Sequence, residues 1–157
     1  MTIARVIASR PTTTTFTATV DMSVQDVLGM LATHRIGALP VMEGEAVVGV
    51  FSERDLLYCI AKEGPSVLAR SVNEVMSSPA ITVTPDTSVL AALSLITRRR
   101  IRHLPVVESG RLVALVSIGD LVKHRIDAIE KECGRDAQLY PGRLIRRTGR
   151  SSRWRAI

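Results

Sequence analysis

Hydrophobic residues follow two patterns along this chain, a helical spacing and short continuous runs, and the two patterns alternate. Ser23 is a candidate helix N-cap, and the apolar residues that follow it are spaced i, i+3, i+4 and i+7, namely Val24, Val27, Leu28 and Leu31. Two apolar runs at 38–42 and 46–51 come next, and the short Glu43-Gly44-Glu45 segment between them indicates a β-hairpin. A Thr- and Val-rich stretch before Ser23 predicts a short first strand.

The same pattern occurs twice, because the chain matches itself without a gap at a shift of 65 residues. Leu39-Pro40-Val41 falls on Leu104-Pro105-Val106, and about fifteen of the 41 positions in 17–57 are identical to their counterparts. A second helix is predicted directly after the hairpin, from Ser52 and Ser117. The other elements of the second copy are its first helix from Ser88 and its hairpin at 104–107 and 112–116. We therefore predict an α/β (α+β) protein built from two β-α-β-β-α repeats.

A repeat of about 45 residues is too small to bury its own apolar surface, so the two repeats are expected to pack together with pseudo-two-fold symmetry. Such packing leaves two equivalent clefts where the small sheets meet, and small ligands usually bind in concave junctions of this kind. The predicted organisation is a first repeat with its N-terminal segment, a linker, a second repeat and a basic Arg-rich tail, at 1–64, 65–80, 81–133 and 134–157.

Composition indicates one globular body with a charged tail. The length of 157 residues allows one compact domain or two half-domains that share a core, so we do not expect a large multidomain enzyme. Of these residues, 46% are hydrophobic and 23% are charged, which suits an aliphatic core. The formal net charge is +6, yet residues 1–133 carry 14 Lys and Arg against 14 acids, whereas 134–157 carry 7 Arg against Asp136 alone. Attraction of a polyanion is therefore a property of the tail, and the function of the body must be argued separately.

Cysteine usage and the lack of apolar segments indicate the compartment. Cys59 and Cys133 stand far apart without a close-spaced partner, which indicates neither a disulfide framework nor a zinc site. The N-terminus lacks the apolar run of a signal peptide, and no stretch reaches the roughly 18 apolar residues that span a bilayer. We therefore expect a cytoplasmic protein with no membrane partner.

The strongest local signal is a Ser-x-x-Asp at the strand-to-helix junction of each repeat, Ser52-Glu53-Arg54-Asp55 and Ser117-Ile118-Gly119-Asp120. One interpretation is a capping box, in which the serine and the acid satisfy backbone N–H groups of the helix start. The other is a ligand site, because a helix N-terminus favours a phosphate and an aspartate accepts hydrogen bonds from both hydroxyls of a ribose. The two interpretations are compatible.

Pro40 and Pro105 each lie inside an apolar run, where proline removes a donor from the strand ladder. Each of these strands is therefore expected to have an open side. That side is either simple protection of a sheet edge or a row of backbone groups that can pair with the polar rim of a purine.

The doubled pattern resembles a tandem pair of cystathionine-β-synthase (CBS) domains. Its first copy runs from Ile36-Gly37-Ala38-Leu39-Pro40-Val41 to Ser52-Glu53-Arg54-Asp55-Leu56, and its second from Ile101-Arg102-His103-Leu104-Pro105-Val106 to Ser117-Ile118-Gly119-Asp120-Leu121. Val75-Met76-Ser77-Ser78-Pro79 resembles the linker of that family. The resemblance covers 17–123 and implies a stand-alone Bateman module, whose clefts bind AMP, ADP, ATP, NAD or S-adenosylmethionine and which regulates rather than catalyses.

The resemblance also implies nucleotide-binding residues in both repeats. Asp55 and Asp120 would bind the ribose, and Ser52 and Ser117 would contact phosphate. The adenine would be lined by residues at each proline and by the first strands, namely Ala38, Leu39, Pro40, His103, Leu104, Pro105, Thr17, Thr19, Thr82 and Val83.

In this family a cleft often joins strands of one repeat to the Ser-x-x-Asp of the other. If the repeats pair in this way here, the two clefts differ in positive charge. The first would hold several cationic donors for a phosphate chain, and its residues would be Ser52, Arg54, Asp55, Arg102 and His103, with Arg100 nearby. The second would hold little positive charge, and its residues would be Gly37, Ala38, Ser117, Ile118, Gly119 and Asp120, with Lys123 one turn along. We expect the second cleft to bind more weakly or to prefer fewer phosphates.

The function indicated is a regulatory adenine-nucleotide-binding module that senses energy or redox state and signals to a partner protein. The sequence contains no catalytic motif and no metal-binding spacing, so neither an enzyme nor a metal site is expected. The last helix, predicted to run to about Glu132, either covers its own module or forms a homodimer. The alternative function is nucleic-acid association through the basic tail, which could instead be a solvated chain end.

Overall fold

The computed structural model describes residues 1–10 and 14–139 of the chain, with the backbone alone described at 132–139. The helices are α1 (Ile3–Ala8), α2 (Val24–His34), α3 (Glu53–Glu63), α4 (Val89–Arg99) and α5 (Ile118–Leu139), and the strands are β1 (Ala18–Thr19), β2 (Ala38–Glu43), β3 (Ala46–Ser52), β4 (His103–Glu108) and β5 (Arg111–Ser117). Two 3-10 helices, Gly64–Ala69 and Val72–Glu74, lie between the repeats. The protein therefore has the predicted mixture of helices and strands in two repeats.

The predicted helix starts are present in both repeats. The Ser23 hydroxyl accepts the backbone N–H of Asp26 at 3.1 Å, and the Ser88 hydroxyl accepts that of Ala91 at 3.1 Å. Each cap satisfies one of the N–H groups that a helix start leaves without a partner. Because of the spacing of apolar residues after each serine, one face of α2 and one face of α4 pack against the core.

Each repeat forms a small sheet around its hairpin. In the first repeat the strand order is β1-β2-β3, with β1 parallel and β3 antiparallel to β2. In the second repeat the predicted first strand is reduced to a single parallel bridge between Val83 and Val106, beside the β4-β5 hairpin. β1 pairs only with Val41 and Met42, so Pro40 lies just before the point where parallel pairing begins. In the second repeat, by contrast, the Pro105 carbonyl accepts the N–H of Val83 at 3.0 Å, so the open side predicted for that strand is paired at the proline.

The two repeats exchange the segments that complete their cores. Ile3 and Val6 of α1, a helix that the sequence did not predict, lie fully buried in the core of the second repeat. The backbone N–H of Ile3 donates to Thr87 at 2.9 Å. Val72, from the segment between the repeats, is buried in the core of the first repeat. The N-terminal segment, grouped with the first repeat in the sequence, therefore packs on the second.

Residues 1–124 form one compact unit that contains both repeats. A second unit begins at Arg125, and its described part is the continuation of α5 to Leu139. This helix is longer than predicted and enters the stretch assigned to the basic tail, while the rest of that tail lies outside the described residues. Within 1–10 and 14–139, the helices contain no segment that is both long enough and apolar enough to cross a membrane.

Candidate functional site

A cavity of about 210 Å³ lies between the two repeats and contains the first predicted Ser-x-x-Asp. Its walls come from the start of α3, the segment that follows the second 3-10 helix, and the loop that enters β4. Its lining residues include Ser52, Arg54, Asp55, Ser77, Arg102 and His103. The cross-repeat pairing implied by the resemblance is therefore present in the geometry.

Asp55 is held at the start of α3 by a reciprocal capping box. Its Oδ2 accepts the backbone N–H of Ser52 at 2.8 Å, and the Ser52 hydroxyl accepts the N–H of Asp55 at 3.4 Å. Its other oxygen, Oδ1, accepts the hydroxyl of Ser77 at 2.8 Å. The capping role and exposure to the cavity thus occur together, as both interpretations of the motif allow.

Three arginines line this cavity, Arg54, Arg100 and Arg102. Arg54 Nη1 donates to the carbonyl of Arg100 at 3.0 Å, which ties the first turn of α3 to the loop before β4. Arg102 lines the same wall and is exposed. Guanidinium groups donate several hydrogen bonds in a planar array that matches phosphate oxygens. The side of the cavity toward the second repeat can therefore hold an anion.

His103 lies at the start of β4 and lines the first cavity and a second one. Burial lowers the pKa of His103 below its usual value, although the carboxylates of Asp120 and Glu53 act in the opposite direction. Gly37 also lines both cavities, and a side chain added there would come within 3.8 Å of the His103 ring. These two residues form the wall that the cavities share.

The second cavity, of about 400 Å³, contains the second Ser-x-x-Asp. Oδ2 of Asp120 accepts the backbone N–H of Ser117 at 2.8 Å and its hydroxyl at 2.6 Å, and the Ser117 hydroxyl accepts the N–H of Asp120 at 3.2 Å. Ala38 of β2 faces it from the other repeat. The second cavity therefore reproduces the composite arrangement of the first.

Arg10 is the residue of this site that the sequence did not indicate. It follows α1, lines the second cavity, and donates from Nη2 to Asp120 Oδ2 at 2.6 Å. The expectation that this cleft holds little positive charge is thereby corrected. Arg10 lies outside the self-matching region 17–57, so the repeat carried no signal for it.

Other predicted residues lie elsewhere in the structure. Leu39, Pro40, Leu104 and Pro105 are buried within their strands. Thr17 and Thr19 line a third cavity, beside the β2-β3 turn. The linings of the first two cavities contain neither Thr82 nor Val83 among the described residues, and they also lack Ile118, Gly119 and Lys123, which are exposed on α5.

The segments that do line the cavities come three residues earlier than the predicted first strands. Residues 14–16 line the second cavity and residues 79–81 line the first. The two segments are related by the same shift of 65, but none of their three aligned positions is identical, so the repeat match carried no signal for them. Within the described parts of the chain, no cluster of three or more His, Cys, Asp or Glu could hold a metal ion.

Comparisons with known proteins agree with this architecture. The mitochondrial CBS domain-containing protein CBSX3 of Arabidopsis thaliana is 40% identical to this chain over 110 residues. The match covers 67% of this chain and 53% of that protein. This chain thus spans about half the length of that relative. Among solved structures, a CBS-domain protein from Burkholderia ambifaria MC40-6 superposes with a TM-score of 0.76 at 36% identity, covering 81% of this chain and 95% of that one.

A further solved structure, CBSX2 in complex with AMP, has a TM-score of 0.68 at 25% identity and covers 81% of this chain and 97% of that one. The family model of the CBS domain matches residues 5–62 and 72–127, which together make up most of the chain. The chain therefore belongs to the CBS domain family and carries two copies of the domain.

Proposed function

We propose that this chain is a regulatory module that binds an adenine nucleotide, such as AMP, ATP or NAD, between its two repeats and reports the ligand to a partner protein. The observation that carries the proposal is the meeting of Asp55 from one repeat with Arg102 and His103 from the other at one cavity. A carboxylate, cationic donors and apolar walls are the three chemistries that a nucleotide requires.

The ribose is assigned to the carboxylate of Asp55. The carboxylate is half-buried, its Oδ2 is fixed by Ser52, and its Oδ1 carries a single hydroxyl partner from an exposed serine. Exchange of one hydroxyl donor for another costs little free energy, because each hydrogen bond is replaced by an equivalent one. A ribose diol can therefore take the place of the Ser77 hydroxyl.

The phosphates are assigned to the arginines that line the cavity. Arg54 and Arg102 belong to different repeats, and Arg54 is already tied across the gap to the carbonyl of Arg100. An anion held by both would add a further bridge between the repeats. Binding would then favour one packing of the repeats over others, which is how a ligand biases a regulatory protein.

The base is assigned to the apolar part of the first cavity. Val50, Ala80, Ile81 and Ile101 line it from both repeats and are half-buried. The transfer of an aromatic ring from water to such a surface is favourable. The complex of CBSX2 with AMP, whose fold this chain shares, supports an adenine ligand.

We also propose that the module forms a homodimer through α3 and the first turns of α5. Leu57 and Tyr58 of α3 are 65% and 66% exposed, and Val122 of α5, which corresponds to Leu57 at the shift of 65, is 41% exposed. An apolar surface of this kind typically marks a protein interface. A second copy would cover equivalent faces by two-fold symmetry.

Isothermal calorimetry and thermal unfolding of the wild type, Asp55→Asn and Asp120→Asn test the nucleotide proposal. The ligands are AMP, ADP, ATP, NAD, NADH and S-adenosylmethionine. Asparagine keeps one acceptor oxygen for the cap but loses the charge and the second acceptor. At about 100 times its dissociation constant, a ligand should stabilise the folded state by about 2.7 kcal/mol.

We expect at least one ligand to raise the midpoint of wild-type unfolding and each single variant to lose binding at its own cavity. Asp86→Asn is the matched control, because Asp86 is exposed and lines neither cavity among the described residues. Absence of binding by every ligand, or undiminished binding by a double variant of Asp55 and Asp120, would overturn the proposal.

A further inference from the structure

The two clefts differ in the partner that each aspartate keeps. Asp55 accepts a neutral hydroxyl from Ser77, whereas Asp120 accepts a guanidinium N–H from Arg10 at 2.6 Å. Arg10 also donates from Nη1 to the carbonyl of Leu115 at 2.7 Å, so its side chain is held at two points. The Arg10 side chain is 22% exposed and that of Asp120 is 35% exposed.

Arg10 retains an unused donor at this position. Its Nε is buried and, among the described residues, has no hydrogen-bond partner. A buried N–H without a partner costs free energy, and a movement of the Arg10 side chain toward an acceptor in the cavity would remove that cost. A phosphate oxygen is an acceptor of suitable charge for it.

The charges of the second cavity depend on this one residue. Among its described lining residues, Arg10 and Asp120 are the ones that carry a full charge at neutral pH, since the pKa of His103 is lowered by burial. With Arg10 in place the two charges balance. Without it the cavity would present only the carboxylate of Asp120, which repels a phosphate and still attracts a neutral ribose.

We propose that Arg10 makes the second cleft select phosphorylated adenosine ligands over the neutral nucleoside. A nucleoside must compete with a charge-assisted Arg10–Asp120 bond and offers the guanidinium no anion in return. A nucleotide offers the phosphate as a new partner for Arg10, so Asp120 becomes free to accept the ribose hydroxyls. This proposal rests on the nucleotide-binding function above and assigns the chemistry of one of its two sites.

Fluorine NMR can report on the second cleft alone. The chain contains two phenylalanines, of which Phe16 lines the second cavity and Phe51 is fully buried in the core of the first repeat. Protein labelled with 4-fluorophenylalanine gives one signal at the cleft and one that reports the fold, and Phe16→Leu assigns them. AMP and adenosine are titrated into the wild type, Arg10→Gln and Arg10→Lys.

We expect AMP to shift the Phe16 signal of the wild type at a concentration at least about tenfold lower than adenosine does. Arg10→Gln should weaken AMP by about tenfold or more and leave adenosine unchanged or tighter, and Arg10→Lys should restore part of the preference because it keeps the charge. An unchanged Phe51 signal shows that each variant is folded.

An equal effect of Arg10→Gln on AMP and adenosine would overturn the proposal, as would a wild type that does not distinguish them at Phe16. If calorimetry detects AMP in the first cleft while the Phe16 signal stays still, the Arg10 proposal alone fails. If neither method detects any adenosine ligand, the proposed function fails with it.

Discussion

The hydroxyl of Ser77 donates to Oδ1 of Asp55 at 2.8 Å, which connects the segment between the repeats to the carboxylate of the first cleft. Ser77 is held in place by two backbone hydrogen bonds with Val50 of β3, at 2.9 and 3.0 Å. A ligand hydroxyl that takes the place of Ser77 at Oδ1 would have to displace this hydroxyl. Under the proposed function, the inter-repeat segment would in this way be coupled to occupancy of the first cleft.

Removal of the Ser77 hydroxyl should strengthen binding in the first cleft. Ser77→Ala leaves Oδ1 to solvent, so a ribose no longer competes with a protein donor, and we expect the dissociation constant to fall by about two- to tenfold. Calorimetry with AMP measures the change. Ser78→Ala is the control, since the Ser78 hydroxyl donates to the Val48 carbonyl instead. Weaker binding by Ser77→Ala would mean that the serine is a ligand contact.

Arg102 should contribute to affinity in proportion to ligand charge. Arg102→Gln removes one cationic donor from the first cavity, so we expect the loss of affinity to increase from AMP to ADP to ATP and to shrink at high salt. Calorimetry at two ionic strengths gives both trends. Arg98→Gln serves as the control, because Arg98 lies in the last turn of α4 and does not line the cavity. An equal loss for all three nucleotides would contradict a phosphate contact.

The stability of the protein should fall as the pH is lowered below about 6.5, in part through His103. Burial lowers the pKa of His103 in the folded state from its ordinary value of 6.5, so between the two pKa values the unfolded chain binds more protons. The free energy of unfolding therefore rises with pH across that window. On acidification the contribution of His103 to stability is lost from about pH 6.5 downward, until the pH falls below the folded-state pKa. Thermal unfolding from pH 7.5 to 5 measures this.

His103→Gln should flatten the pH dependence of the unfolding midpoint relative to the wild type. His124→Gln is the comparison variant, since His124 lies on α5 and lines neither of the first two cavities among the described residues. If the slope is the same in His103→Gln and the wild type, another group dominates the acid response.

The exchange of core segments predicts that a residue at the N-terminus determines the stability of the second repeat. Ile3→Ala removes a fully buried side chain and should lower the free energy of unfolding by about 2–5 kcal/mol. Denaturant unfolding provides the value. Leu90→Ala is the control, because Leu90 is 63% exposed on α4 and its truncation should change stability by under about 0.5 kcal/mol. Similar values for both variants would argue against the packing of α1.

A charge on the exposed face of α3 should prevent the proposed dimer. Leu57→Asp places a carboxylate in the face that a second copy would cover, and burial of an unpaired charge there is costly. Light scattering after size exclusion should give a dimer for the wild type and a monomer for Leu57→Asp. Leu90→Asp, at a similarly exposed leucine on another helix, should remain dimeric. A wild type that is monomeric at high concentration would refute the dimer.

Much of the architecture could be read from the chain because its signals are local. The serine caps at Ser23 and Ser88, the helical spacing behind them and the two hairpins depend on residues within a few positions of each other. The shift of 65 then showed that the unit is used twice. These features, together with the Ser-x-x-Asp at 52–55 and 117–120, needed no knowledge of long-range contacts.

The first strands lie where the sequence predicted them, within 17–19 and at Val83, but these residues do not line the first two clefts. Two residues of β1 pair with β2, and in the second repeat a single bridge at Val83 remains. Short, weakly paired segments carry almost no periodicity. The residues that line the clefts from this side, 14–16 and 79–81, therefore differed from those predicted.

The sequence by itself determined the doubled β-α-β-β-α unit and the aspartate at each helix start, because periodicity and capping act over short distances along the chain. Only the tertiary structure decided what faces each aspartate. Arg10 reaches Asp120 because α1 crosses to the second repeat, and Ser77 reaches Asp55 because its segment pairs with β3. Those partners are separated by 110 and 22 residues, and no local pattern specifies contacts over such distances.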